Sequence, residues 1–144
     1  MISGPDLSAV LARDYPSLLR LYQDLHAHPE LSGQEAWTSE RVGKELEAAG
    51  FTMTRGVGGY GVVGVLTRGT GPVVMLRADM DGLPLKEETG LPYTSREKAR
   101  DARGQEVDVM HACGHDLHMA ALIGAARVLA ACPDWSGTLV MVGQ

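Results

Sequence analysis

Cysteine is scarce, with 2 in 144 residues, and two thiols do not make a disulfide scaffold. If the segment between Cys113 and Cys132 is mostly helix, its rise of about 1.5 Å per residue separates them by over 20 Å, against a disulfide limit of about 7 Å. Both are expected as free thiols. Basic residues are also in the minority: Lys and Arg number 13 against 18 Asp and Glu, for a net charge of -5. No Lys/Arg cluster interleaves with the few aromatics, which excludes a basic face for nucleic acid or an anionic membrane. No apolar run approaches the roughly 18 residues of a membrane span, and the opening Met1 to Asp6 has no charged region followed by an apolar core. The cytoplasm is the expected compartment. What remains is an ordinary globular composition, 44% hydrophobic and 22% charged. A chain of this length suits one domain, burying about two-thirds of its unfolded surface.

The densest chemistry lies at His111-Ala112-Cys113-Gly114-His115-Asp116-Leu117-His118, which holds three of the five histidines and one cysteine. In an extended loop, residues two apart point the same way, so His111, Cys113 and His115 are expected to converge on one point. Spacing alone leaves the alternative open, because a buried Cys is often a small core residue and a His at a helix start is often a cap.

The preceding chain supplies the frame. A first helix is expected from a cap at Asp6 or Ser8, bent or restarted at Pro16, and ending near Pro29. His26 and His28 sit at that end, where the helix dipole favours a cation, and are read as cap and packing residues with no metal role. Ser32-Gly33-Gln34-Glu35 reads as a capping box for a second helix that stops at Gly50. Phe51 to Arg55 and Gly61 to Arg68 read as strands. The linker Gly56-Val57-Gly58-Gly59-Tyr60-Gly61 matches G-x-G-x-x-G, but a helix must follow that fingerprint, and here the β-rich Val62 to Leu66 follows. It is read as a hairpin turn, and nucleotide binding is rejected.

Pro72 to Ala78 is a near-continuous apolar run, the pattern of a strand buried on both faces, and it runs into Asp79-Met80-Asp81-Gly82. Carboxylates at the carboxyl end of a core strand are candidates for chemistry, although Asp81-Gly82 with Pro84 also suits a plain turn. Leu91 to Asp108 is polar, possessing a β-excursion at most, with Lys86-Glu87-Glu88 and Arg96-Glu97-Lys98 read as solvated surface. From about Asp116 to Ala131 a helix rich in Ala and Gly must be buried, its amino end at the His/Cys cluster. There its dipole favours a thiolate at Cys113 and opposes a cation, so a metal needs the negative charge of Cys113, Asp79 and Asp81. Thr138 to Val142 is a last strand, and the sequence reads as cut after it. The whole predicts a three-layer α/β domain whose sheet holds strands at 61–68, 72–79 and 138–142, with the helix from 116 packed on it.

Three motifs then carry a resemblance. His26-x-His28-Pro29-Glu30-Leu31, Arg77-Ala78-Asp79-Met80-Asp81-Gly82-Leu83-Pro84 and Met110-His111-Ala112-Cys113-Gly114-His115-Asp116 occur in an order and at spacings similar to the amidohydrolase branch of the dinuclear metallopeptidases. That branch includes hippurate hydrolases, N-acyl-amino-acid amidohydrolases and plant indoleacetyl-amino-acid hydrolases. The resemblance covers almost all of residues 1–144 as the first part of a zinc-peptidase-like catalytic domain with a mixed central sheet.

The resemblance implies Cys113 and His115 as metal ligands and Asp81 as the catalytic-site aspartate, the one that in related peptidases supports a metal-binding histidine two residues earlier. Here that position is Asp79. It further implies two divalent metal ions, zinc or manganese, in the full-length parent, and a substrate that is an N-acyl amino acid or small peptide. A homodimer through a domain outside this stretch belongs to the same expectation. Family members continue past the last strand into two adjacent glutamates, one the general base and one a ligand. The competing readings are a non-catalytic metal-binding or interaction fragment and a redox-active thiol at Cys113.

Overall fold

The computed structural model describes residues 7–144. In chain order it contains α1 (Leu7–Ala27), α2 (Ala36–Ala48), β1 (Thr52–Val57), β2 (Gly61–Arg68), β3 (Val73–Ala78), β4 (Lys98–Arg100), β5 (Glu106–Asp108), α3 (His115–Ala131) and β6 (Gly137–Gly143). Four strands form one mixed sheet in the order β1-β2-β6-β3. The β1/β2 and β2/β6 pairs are antiparallel, whereas β3 and β6 run parallel. A parallel pair needs a long crossover, and α3 supplies it. The mixed α/β architecture is therefore the one expected, and β4/β5 is the small polar excursion beside it.

Alternation along β2 and β6 decides which sheet face is covered. Val62, Leu139 and Met141 point to one side and join Leu21, Leu25, Val42, Leu46, Met119 and Ile123 from the three helices in a single core cluster. Full burial of such side chains contributes about 1.5–3 kcal/mol each. No helix among the described residues is long and apolar enough to cross a membrane.

Three local expectations need correction. The run at β3 is not buried on both faces: Val73, Val74 and Met75 are 70%, 47% and 62% exposed. The strand is an edge, paired only with β6, and an apolar run specifies what suits burial without supplying the segment that covers it. The capping box forms only in part: Glu35 reaches back to the Gly33 amide at 2.9 Å, but α2 begins at Ala36, past Ser32. No side chain of its own caps α2 at Glu35; the Glu30 carboxylate takes the Trp37 amide at 3.1 Å and the Thr38 amide and hydroxyl at 2.8 and 2.9 Å. At the first helix, Asp6 lies outside the described residues, and Ser8 is already helical. The chain stays helical through Pro16 and ends at Ala27.

The Gly-rich linker is the turn of the β1/β2 hairpin, with a register irregularity between Arg55 and Val57, so no helix follows it. Both cysteines are free, at opposite ends of α3. Because β3 and β6 are parallel, their carboxyl ends lie side by side, with Ala78 and Gly143 in register. The crossover helix runs back against them, which brings its amino end to the same edge.

Candidate metal centre

Backbone bonds on both sides fix the turn that follows β3. The Met80 amide donates to the Gln144 carbonyl at 2.8 Å, and the Gln144 amide to Ala78 at 3.0 Å. Past Asp81, the Gly82 amide donates to the Glu30 carbonyl at 2.6 Å, and Leu83 and Met110 exchange bonds at 2.8 and 3.0 Å. Gly82 is required by close approach, since a Cβ there would lie 3.0 Å from the Pro29 Cβ and 3.1 Å from Val109. Asp79 and Asp81 are thus displayed from a rigid turn, and Arg77 bonds to Asp79 and to Gln144.

His115 opens α3 directly opposite. Its Nδ1 lies 2.9 Å from the Asp81 carbonyl oxygen and 2.9 Å from Asp81 Oδ1. Both atoms only accept, so Nδ1 carries the proton, and in the neutral ring Nε2 keeps its lone pair. Nε2 faces Asp79, with Oδ2 at 4.0 Å. A histidine whose one nitrogen is held by a carbonyl and a carboxylate, with the other free, is the arrangement that metal-ligating imidazoles adopt. The structure therefore brings together Asp79, Asp81 and His115.

It does not bring His111, Cys113 and His115 to one point. Cys113 is exposed, whereas His111 is 4% exposed and turned inward. Gly114, the cap of α3, adopts a left-handed conformation at φ 75°, ψ 22°, so the segment turns instead of extending, and the period-two alternation behind the expected convergence does not apply. Among the described residues no three His, Cys, Asp or Glu side chains are already gathered as a metal cage. His111 nevertheless has no partner on either ring nitrogen. Burial lowers its pKa and outweighs the opposing pulls of Asp116 and of the Asp81 backbone.

His26 departs from its expected role. It bridges two carboxylates, with Nδ1 2.6 Å from Asp116 Oδ2 and Nε2 3.0 Å from Glu87 Oε1. All three side chains are buried, so Glu87 is not the solvated surface residue expected of the Lys86-Glu87-Glu88 run. Burial works to lower the His26 pKa, but the bonds to Glu87 and Asp116 outweigh it and leave the pKa raised. Burial likewise works to raise Glu87, but His26, Thr89 and the Ser95 amide hold it below the usual carboxylate range. His28 is a cap residue as expected, its Nδ1 2.8 Å from the Asp24 carbonyl. No spacing rule pointed to the His26 bridge. The only signal was the position of His26 at the head of the His26-x-His28-Pro29-Glu30-Leu31 motif.

A cavity of about 380 Å³ adjoins the same edge, walled by Glu35, Gly58, Tyr60, Asp79, Asp81 and Gln144. The hairpin turn therefore overlooks the two aspartates, a position from which it can contact a bound molecule.

Residues 75–144 match the model of the peptidase family M20/M25/M40. The hippurate hydrolase of Campylobacter jejuni is 41% identical over 126 residues, 87% of this chain and 30% of that protein. The N-acetyl-L-cysteine deacetylase of Bacillus subtilis is 41% identical over 113 residues, 78% of this chain and 25% of that protein. Among solved structures, the Bacillus subtilis YXEP protein, described as a dinuclear metal-binding peptidase of the M20 family, superposes with a TM-score of 0.78 at 35% identity. The overlap covers 97% of this chain and 36% of that one. The chain thus spans roughly a third or less of the length of these relatives.

Proposed function

We propose, from the match of residues 75–144 to the peptidase family M20/M25/M40 and the likeness of the whole chain to its dinuclear members, that residues 1–144 are the first part of the catalytic domain of a metal-dependent amidohydrolase that cleaves N-acyl amino acids or small peptides. The observation that carries this reading is the His115 tautomer set by Asp81, which leaves Nε2 free at the edge of the sheet. The donor set fits a divalent ion: an imidazole oriented in this way, an exposed thiol at Cys113 two residues before it, and a buried His111 with both nitrogens unpartnered.

In this reading Cys113 and His115 hold metal, with Asp79 beside them. Two divalent ions, zinc or manganese, supply when bound the polarisation of an amide carbonyl and the acidification of water. Asp81 acts as a positioning residue, holding the proton on His115 Nδ1 and the ring in place. A carboxylate engaged in that way is not free to take the proton of an attacking water, and the general base is assigned to one of the two adjacent glutamates that family members carry past the last strand. The rim of the cavity at Tyr60 and Gln144 receives part of the substrate. A homodimer formed through a further domain is compatible with the same reading.

The test is to assay the full-length protein and residues 1–144 on benzoyl- and acetyl-amino acids with added zinc or manganese. The full-length protein turns over and the short chain does not, because loss of a general base costs about 10²- to 10⁴-fold. Comparable turnover by both would overturn the assignment of roles. Absence of both turnover and bound metal in the full-length protein would overturn the amidohydrolase reading.

A further inference from the structure

The two turns that carry Asp81 and His115 rest on one short segment, His26 to Leu31. On the β3 side, the Glu30 carbonyl takes the Gly82 amide, Leu31 bridges Gly82, and Pro29 fills the space a side chain at Gly82 would need. On the α3 side the hydrogen-bonded link from this segment, among the described residues, is His26. Asp116 follows His115 directly, and its carboxylate is shared between the Leu117 amide, at 2.8 Å, and His26. Glu87 is held in turn by the Ser95 amide at 2.6 Å and by the Thr89 hydroxyl.

Ionised carboxylates only accept, so a ring facing one on each nitrogen must donate from both, which requires the imidazolium form. With Asp116, His26 and Glu87 at 2%, 5% and 7% exposure, these charge-assisted bonds lie out of water and resist displacement. Tyr22 and Tyr93 pack on the ring at centroid distances of 5.8 and 5.3 Å, which fixes its plane. The triad carries a net charge of about -1 directly behind the turn, a sign that favours a cation in front of it.

We propose that His26 is a positioning residue for the metal centre: by joining Glu87 to Asp116 it holds the 111–116 turn in the arrangement that lets Cys113 and His115 bind metal. This inference rests on the metal-centre reading above. A side chain that reaches only one of the two carboxylates does not replace it.

The test uses the full-length protein with His26→Gln, Glu87→Gln and, as a control for general destabilisation, Leu46→Ala in the core far from the turn. Zinc affinity is measured by competition with a chromophoric chelator, and amide hydrogen exchange over residues 111–118 is measured in zinc-free protein. His26→Gln is expected to weaken zinc binding by about 10- to 100-fold, the usual effect of losing a partner behind the ligands, and to speed exchange at 111–118. Glu87→Gln changes both in the same direction by less, and Leu46→Ala changes neither. Wild-type zinc affinity and exchange in a folded His26→Gln protein would overturn the proposal; if that variant does not fold, the same result in Glu87→Gln overturns it. A wild-type protein that binds no zinc overturns the metal reading, and the exchange comparison in zinc-free protein still decides the clamp.

Discussion

The two ends of α3 are built on opposite terms. At the carboxyl end the free carbonyls are engaged: Arg68 donates to Ala130 and Cys132, and the Trp135 indole donates to Leu129 at 2.8 Å. The guanidinium also sits 4.9 Å from the Trp135 ring centroid. At the amino end Gly114 caps without a side-chain bond, Cys113 is free and exposed, and neither nitrogen of His111 has a partner. One end engages its groups within the protein, while among the described residues the other leaves Cys113 and His111 without hydrogen-bond partners, which is where the proposed metal would bind. The amino end of α2 sharpens the point, because there the Glu30 carboxylate takes the orphan amides. At α3 the cap residue itself has no side chain, and the first-turn amide of Leu117 is taken instead by Asp116 from within the helix.

If the two ends divide function from stability, substitutions at each should separate the two readouts. The largest effect is expected for Cys113→Ala and His115→Ala in the full-length protein: kcat should fall by more than about 10²-fold, exceeding the loss from a supporting residue, while urea unfolding changes by about 1 kcal/mol or less. Arg68→Ala should do the reverse. Loss of its two carbonyl bonds and its ring contact should destabilise by about 1–3 kcal/mol in urea titrations, with kcat per folded molecule unchanged. Glu30→Ala, at the capped end of α2, should cost about 1 kcal/mol.

The smallest effect is the pH dependence behind the amino end of α3. The raised pKa of His26 contributes stability that is present at low pH and lost as pH rises through its folded value. The lowered pKa of Glu87 contributes stability that is present above its unfolded value and lost as pH falls through its folded one. The pair therefore stabilises between those limits. Unfolding midpoints measured across pH should show that window narrowed in His26→Gln and unchanged in Arg68→Ala.

Much of the frame was legible because its determinants are local. An apolar run ending in Asp79 and Asp81, a small-residue helix beginning at His115, and a Gly-rich turn followed by β-branched residues each declare themselves within about ten positions. The failures share one cause, the need for information from elsewhere in the chain. The expected convergence of His111, Cys113 and His115 assumed an extended backbone, and the left-handed Gly114 removed it. The role of His26 depends on partners 61 and 90 positions away, which no spacing encodes. Exposure of β3 depends on what lies beside an edge strand, and Glu30, reaching α2 from outside the helix, caps it in place of Ser32.

The comparison reduces to two thiols, one at each end of a single helix. Alkylation of Cys113 and Cys132 in the full-length protein, with zinc bound and after a chelator has removed it, tests the account most directly, because ligation occupies the lone pair through which a thiolate attacks. Cys113 should be protected by zinc and become reactive on chelation, while the rate at Cys132 stays the same. Equal labelling of Cys113 in both states would contradict a metal centre at the amino end of α3.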